Sequence, residues 1–196
     1  RDYQKSLNGQ WGVFDVDDCI AVANFLINRG DVDHDRIIIS GRSAGAFTAL
    51  CALTFRDFFS AGASYYGISD LENLAKETHK FEIGYVETLI GSTTSSNINF
   101  RNRSPIHNAK NFSCPIIFFQ GLKDKIVPPN QTQTMTDMLR KLGVTFAYVP
   151  FLDEQHGFRN PKNIEHSLEA ELFFYGQIFN FSPANLNTRV QIENIK

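Results

Sequence analysis

A single serine lies between two glycines in the segment GRSAG, residues 41–45, which follows the apolar β-branched run 37–39 after one intervening residue. A serine held in a strained turn between a strand and a helix can act as the nucleophile of acyl transfer. Small residues are needed beside it because the helix packs close to the strand. The N–H of Ala44 would then point to the place where an oxyanion forms. An ordinary glycine-rich strand-to-helix turn with an incidental serine has the same sequence.

A nucleophilic serine needs a base, and the sequence offers five histidines, at positions 34, 79, 107, 156 and 166. His156 lies in the segment DEQHGF, a loop between the last predicted strand and the last predicted helix. That loop falls at the same edge of the sheet as GRSAG, although an isolated loop histidine is more often a solvated side chain. The position therefore favours His156 as the base.

The base in turn needs an orienting acid, for which Asp124, Asp70 and Asp153 compete. Asp124 lies in QGLKDKIVPP at the end of the third predicted strand, Asp70 follows the second, and Asp153 is three residues from His156. Each of them is by default a turn-forming side chain. The chain order Ser43, Asp124, His156 is the order found in α/β-hydrolases, and it favours Asp124 as the acid.

Strands and helices alternate along the chain, which predicts the α/β-hydrolase fold: a mainly parallel sheet with helices on both faces. The predicted strands are 36–40, 61–67, 114–121 and 145–151, and the predicted helices are 15–30, 43–55, 130–142 and 163–179. The apolar run CPIIFFQG is typical of a strand buried on both faces. Helix 130–142 is expected to present one apolar face, made of Met135, Met138, Leu139 and Leu142.

Composition and charge argue against several function classes. The net charge of −2 gives no basic footprint for nucleic acid, and no apolar run approaches the roughly 18 residues that span a bilayer. The three cysteines match no metal-binding spacing, and we expect no metal and no cofactor. These cysteines are expected to be buried, reduced thiols, which favours a cytoplasmic location.

Residues 1–196 are predicted to form one domain, because no repeat or low-complexity linker interrupts them. Four strands nevertheless make a thin parallel sheet, since such sheets normally have neighbours on both sides. The chain also begins without Met and without a signal-peptide pattern. We expect it to be the C-terminal part of a longer protein with further strands upstream. Exposed sheet edges would favour association of the chain alone into a homo-oligomer.

Segments spread over most of the chain resemble the catalytic domain of the prolyl oligopeptidase family of serine peptidases, in its acylaminoacyl-peptidase and dipeptidyl-peptidase-like branch. They are WGVFDVDDCIAVANFL, DRIIISGRSAGAFTAL, FSAGASYYGISDL, HKFEIGY, RSPI, PIIFFQGLKDKIVPPNQ and DEQHGFRN. The resemblance implies Ser43 as nucleophile, Asp124 as acid and His156 as general base. It implies a second oxyanion donor upstream and a β-propeller that restricts access to short peptides. It also implies Tyr66 in the pocket for the residue before the scissile bond; a core tyrosine is the alternative.

Two positions depart from the family pattern. Gly45-Ala46 replaces the Gly-Gly that many members have after the alanine, and its extra methyl group is expected to crowd the helix tolerably. Ile126 stands where peptidase members often place Arg or Asn to hold a substrate carbonyl, which argues against dipeptidyl specificity. The expected activity is hydrolysis of short peptides through an acyl-enzyme. The alternatives are a carboxylic-ester hydrolase of the same fold and a catalytically inactive piece with a binding or structural role.

Overall fold

The computed structural model describes residues 2–77, 80–91, 98–112 and 114–195. The strands are β1 (Ile38–Arg42), β2 (Ala61–Tyr65), β3 (Ile116–Gly121), β4 (Phe146–Phe151) and β5 (Ile192–Glu193). The α-helices are α1 (Asp2–Ser6), α2 (Phe14–Arg29), α3 (Ala44–Phe55), α4 (Leu71–Glu77), α5 (Lys80–Ile90), α6 (Ile98–Arg103), α7 (Asn130–Leu142) and α8 (Pro161–Ile178). Short 3-10 helices lie at His34–Arg36 and Pro105–Asn111.

The strands form one sheet in the order β1-β2-β3-β4-β5. β1 to β4 run parallel, and β5 pairs antiparallel with β4 as the last strand of the sheet. Because parallel strands are joined by crossovers that return the chain to its starting edge, the carboxyl ends of β1 to β4 lie at one edge of the sheet. The loops that carry Ser43, Asp124 and His156 follow β1, β3 and β4, so all three meet at that edge.

Helices cover both faces of the sheet, and β3 shows why its sequence is apolar. Ile116 and Phe118 belong to the core on the side of α3 and α7, whereas Ile117 and Phe119 belong to the core on the side of α8. Successive residues of a strand point to opposite faces, and all six residues of β3 are buried. Replacing either phenylalanine by alanine is expected to cost about 3–5 kcal/mol.

The predicted fold class, a mainly parallel α/β sheet with helices on both faces, is confirmed. The first strand begins at Ile38 instead of residue 36, because the Asp33 side chain accepts the N–H of Asp35 and starts a 3-10 helix there. β5 was not predicted at all. No helix among the described residues has the length and apolar character that crossing a membrane requires.

Side-chain burial is uneven along the predicted apolar face of α7 and among the cysteines. Leu142 is 43% exposed at the end of α7, so the buried face of that helix rests on Met135 and Leu139. Of the three cysteines expected to be buried, only Cys51 is; Cys19 is exposed, Cys114 is half-buried, and all three are free thiols. Burial, with Asp15 nearby, raises the pKa of the Cys51 thiol well above its usual range, so this thiol stays protonated.

Candidate active site

Ser43 occupies a strained turn between β1 and α3. Its φ of 52° and ψ of −118° lie in a region that residues other than glycine rarely adopt, at a cost of roughly 1–3 kcal/mol. The backbone holds the turn, because the Ser43 N–H donates to the carbonyl of Tyr65 and the Ser43 carbonyl accepts from Ala46 and Phe47. The turn thereby directs the serine side chain out of the sheet at the start of a helix.

The two glycines of GRSAG have different roles in this turn. A Cβ on Gly41 would lie 2.1 Å from the carbonyl oxygen of Gly45, so only glycine fits where helix and strand meet. A Cβ on Gly45 would meet nothing within 4 Å. Gly67 leaves the space that the methyl group of Ala46 needs. Ala46 is fully buried, and a Cβ on Gly67 would lie 2.7 Å from that methyl group.

Three side chains from separate loops form one hydrogen-bonded series. Ser43 Oγ lies 2.7 Å from Nε2 of His156, and Nδ1 of His156 lies 2.7 Å from Oδ2 of Asp124. The Asp124 side chain is fully buried, and its Oδ1 accepts the N–H groups of Ile126 and Val127. Because Nδ1 donates to the carboxylate, Nε2 is left as the acceptor for the serine hydroxyl. The structure thus brings together the three residues that the sequence singled out.

The His156 loop is packed against the end of β3. A Cβ on Gly121 would lie 2.5 Å from the Gln155 carbonyl oxygen and 2.6 Å from that of Glu154, so glycine is required there. The N–H of Lys123 donates to the Glu154 carbonyl. The loops carrying His156 and Asp124 are therefore fixed to each other by backbone contacts.

Glu154 holds the His156 loop from the other side. Its buried carboxylate accepts the N–H groups of Arg159 and Asn160 and the side-chain amide of Asn163. Burial alone would raise the pKa of Glu154, but these hydrogen bonds outweigh it and hold the pKa below its usual value. Sequence reasoning missed both Glu154 and Gly121. The only sequence signal is their nearness to the histidine and aspartate loops.

The competing acids and histidines have other neighbours. Asp70 Oδ1 lies 3.8 Å from Nε2 of His107, and Asp153 accepts the side-chain amides of Asn160 and Asn163. His34 pairs with its neighbour Asp35 on the surface, and His166 faces the ring of Phe151. His79 lies outside the described residues. Of the described candidates, His156 alone reaches Ser43.

Tyr66 lies against the base. Its ring is edge-on to His156, with centroids 4.9 Å apart, and edge-on to Phe158 at 5.3 Å. Tyr66 also has a positive φ of 42°, and its N–H donates to the Phe119 carbonyl. With 8% of its surface exposed, it belongs to the core and still borders a cavity of about 240 Å³ together with Arg42 and Phe158. Tyr66 is thus a core residue at the wall of a cavity. Its place in a substrate pocket stays a prediction.

Ala44 opens α3, and the first N–H groups of a helix have no partner within it. Its N–H is therefore available beside the serine for a developing negative charge. Among the described residues, no group of three His, Cys, Asp or Glu side chains could hold a metal ion.

A strained serine after a parallel strand, with its acid and base on later loops of the same sheet, defines an α/β-hydrolase. Within that class the chain belongs to the prolyl oligopeptidase family, whose model matches residues 1–182.

The proteins that the chain resembles include peptidases and an esterase. A puromycin-hydrolyzing peptidase of Mycobacterium tuberculosis superposes over 97% of the chain with a TM-score of 0.93 and 41% identity. Dipeptidyl peptidase family member 6 of Caenorhabditis elegans is 27% identical over 96% of the chain. Esterase LipQ of Mycobacterium tuberculosis is 30% identical over 91% of it. The chain spans 29%, 27% and 47% of these three proteins, respectively.

Proposed function

We propose that the protein is a serine peptidase that cleaves short peptides through an acyl-enzyme. The observation that supports this most directly is the hydrogen-bonded series of Ser43, His156 and Asp124, with 2.7 Å at each step. Family membership and the peptidase names of two relatives point in the same direction.

In this mechanism Ser43 Oγ attacks the substrate carbonyl carbon while Nε2 of His156 takes the hydroxyl proton. The Ala44 N–H stabilises the resulting oxyanion. The imidazolium, held by buried Asp124, then passes its proton to the leaving amine as the C–N bond breaks. The acyl group remains as an ester on Ser43. A water molecule that gives its proton to His156 hydrolyses this ester, and the returned proton restores the serine.

We further propose that Tyr66 borders the pocket for the residue before the scissile bond. Its ring contacts His156, and the adjoining cavity of about 240 Å³ is small and has an aromatic wall. Such a wall suits an apolar side chain of modest size. Ile126, which is 55% exposed two residues after Asp124, offers no donor for a substrate carbonyl. This argues against a dipeptidyl-type contact at that position.

We also propose that the chain is the catalytic domain of a longer protein. The relatives are two to four times its length, and an apolar stripe of α8 (Ile164, Leu168 and Leu172) is exposed. Ile164, at the start of this stripe, lines the same cavity as Arg42 of β1. In this proposal upstream strands pair with β1 and supply the second oxyanion donor. A β-propeller upstream limits entry to short peptides, and the protein works in the cytoplasm. Expressed alone, the chain is expected to associate through the open β1 edge.

A carboxylic-ester hydrolase is the second candidate, because the esterase relative aligns with 91% of the chain. The test uses the full-length protein and two substrates with the same acyl group, a peptide p-nitroanilide and the matching p-nitrophenyl ester. A peptidase cleaves both, whereas hydrolysis of the ester alone rejects the peptidase and supports the esterase.

Ser43→Ala is the control for both candidates. Loss of the nucleophile is expected to lower turnover by at least about a thousandfold on either substrate. Activity retained in the Ser43→Ala variant would remove Ser43 from the mechanism.

A further inference from the structure

A second, larger cavity lies beside the triad, between the loops that carry Asp124 and His156. Its volume is about 660 Å³, and three of its lining side chains are cationic: Lys123, Lys125 and Arg159. The exposed side chain of Ile126 gives it an apolar wall. A group bound here would lie next to the base and therefore close to the bond being cleaved.

The positive charge of this cavity has little local compensation. Asp124 borders it, but both of its carboxylate oxygens are engaged, by His156 and by backbone N–H groups. Lys123 lies within electrostatic range of Asp153. Within the described part of the chain, the side chains of Lys125 and Arg159 form neither an ion pair nor a hydrogen bond. Two cations next to the base are thus available to a ligand.

This local charge runs against the charge of the whole chain. The sequence has 21 acidic and 19 basic residues, so a random patch would be slightly negative. Clefts lined by one sign of charge concentrate ligands of the opposite sign, and Lys and Arg bind carboxylates through charge-assisted hydrogen bonds. A basic cleft beside the triad therefore suits an anionic part of the substrate.

We propose that this cavity is a subsite for a substrate carboxylate and that Lys125 and Arg159 determine the preference for it. The inference rests on the proposed peptidase function and specifies its substrate class. The carboxylate belongs to an acidic side chain or to the free C-terminus of a short peptide. In either case it lies near the scissile bond while the Ile126 wall packs against the adjoining methylene groups.

The experiment measures binding to the full-length Ser43→Ala protein, in which no turnover occurs. Four tetrapeptides are compared by calorimetry: one with a central glutamate, its glutamine counterpart, and both with an amidated C-terminus. We expect peptides with the preferred carboxylate to bind about fivefold to tenfold more tightly than the matched neutral peptide. The glutamate and amide arms separate the side-chain source from the C-terminal source.

Charge-removing variants identify the residues responsible. Lys125→Gln combined with Arg159→Gln is expected to abolish the preference and leave binding of the neutral peptide unchanged. Lys141→Gln is the matched control, because Lys141 lies in the last turn of α7, which ends at the opposite edge of the sheet. Raising the salt from 0.05 to 1 M should also abolish the preference, since the Debye length falls to about 3 Å.

Equal binding of all four peptides, or an equal loss for all of them in the double variant, would overturn the subsite. Failure of the subsite can be distinguished from failure of the proposed peptidase function. Carboxylate-dependent binding to Ser43→Ala without hydrolysis by the unmodified protein would reject the peptidase and keep the subsite. Hydrolysis with no carboxylate preference would reject the subsite alone.

Discussion

At the β3–β4 side of the sheet, the loops that carry Asp124 and His156 are fixed by buried contacts, whereas at the β1 side apolar residues face solvent. Gly121 leaves room for the Gln155 and Glu154 carbonyls, and Glu154 accepts three N–H groups. By contrast, Ile38 on β1 and Leu168 on α8 are 39% and 52% exposed. We call the first region the packed side and the second, whose apolar residues face solvent, the open side.

This difference separates two requirements of the chemistry. The mutual positions of Ser43, His156 and Asp124 depend on contacts that the described residues make with one another. The exposed apolar stripe of α8 does not contribute to those positions. In our proposal the upstream part of the longer protein packs on this stripe, shields it from solvent and supplies an oxyanion donor. The two regions should therefore respond differently to substitution.

The largest effect is expected at the packed side, from Gly121→Ala. The added methyl group would press on two backbone carbonyls of the His156 loop and displace the base. A displacement near 1 Å lowers activity by about a hundredfold. Turnover of a chromogenic ester and a thermal melt measure the two consequences.

Gly45→Ala is the matched control for that substitution. A Cβ there has open space, and alanine is the better helix former, so activity and stability should be kept. Similar turnover in the Gly121→Ala and Gly45→Ala variants would contradict the account of the packed side.

A smaller effect is expected from Glu154→Gln, with a defined pH dependence. Hydrogen bonds to a charged group contribute about 1.5–3 kcal/mol, so the free energy of unfolding should fall by a value in that range at neutral pH. Because the folded-state pKa of Glu154 is lowered, its stabilisation is complete above the unfolded pKa, near 4.3. The stabilisation is lost as the pH falls through the folded value.

Urea unfolding at pH 7, 5 and 3.5 measures this dependence. The difference between the Glu154→Gln variant and the unmodified protein should shrink at the lowest pH. Glu165→Gln, on the exposed surface of α8, should show no difference at any pH. A difference for Glu154→Gln that does not change with pH would mean that its carboxylate is not the stabilising group.

The smallest effect on stability is expected from a substitution on the open side, measured in the 196-residue chain without its upstream part. Leu168→Gln should change the stability of the 196-residue chain by less than about 0.5 kcal/mol, because the side chain is already exposed. In the full-length protein, where we propose that this stripe is covered, the same change should cost about 2 kcal/mol. Leu142→Gln, at a comparably exposed position of α7, should cost little in both. Equal effects of Leu168→Gln in both proteins would reject the proposed cover.

Local patterns in the sequence predicted the packed side well. A β-branched run followed by small residues indicated the turn at Ser43, and the order of the elements placed Asp124 and His156 at the same edge. Glu154 and Gly121 escaped prediction because their importance depends on contacts between loops far apart along the chain. β5 was not predicted because its two residues, Ile192 and Glu193, are too few to show the alternation of apolar and polar residues that indicates a strand. Sequence pattern indicates periodic elements, and tertiary packing decides the rest.

The central claim is that the described chain alone positions a working serine, base and acid. The most direct measurement is the intact mass of the purified 196-residue chain after reaction with a fluorophosphonate, with Ser43→Ala as control. The account predicts one adduct per chain, absent from the variant, because Nε2 of His156 already lies within hydrogen-bond distance of Ser43 Oγ. No adduct on a chain that unfolds cooperatively would contradict the claim and would assign the missing part of the machinery to upstream structure.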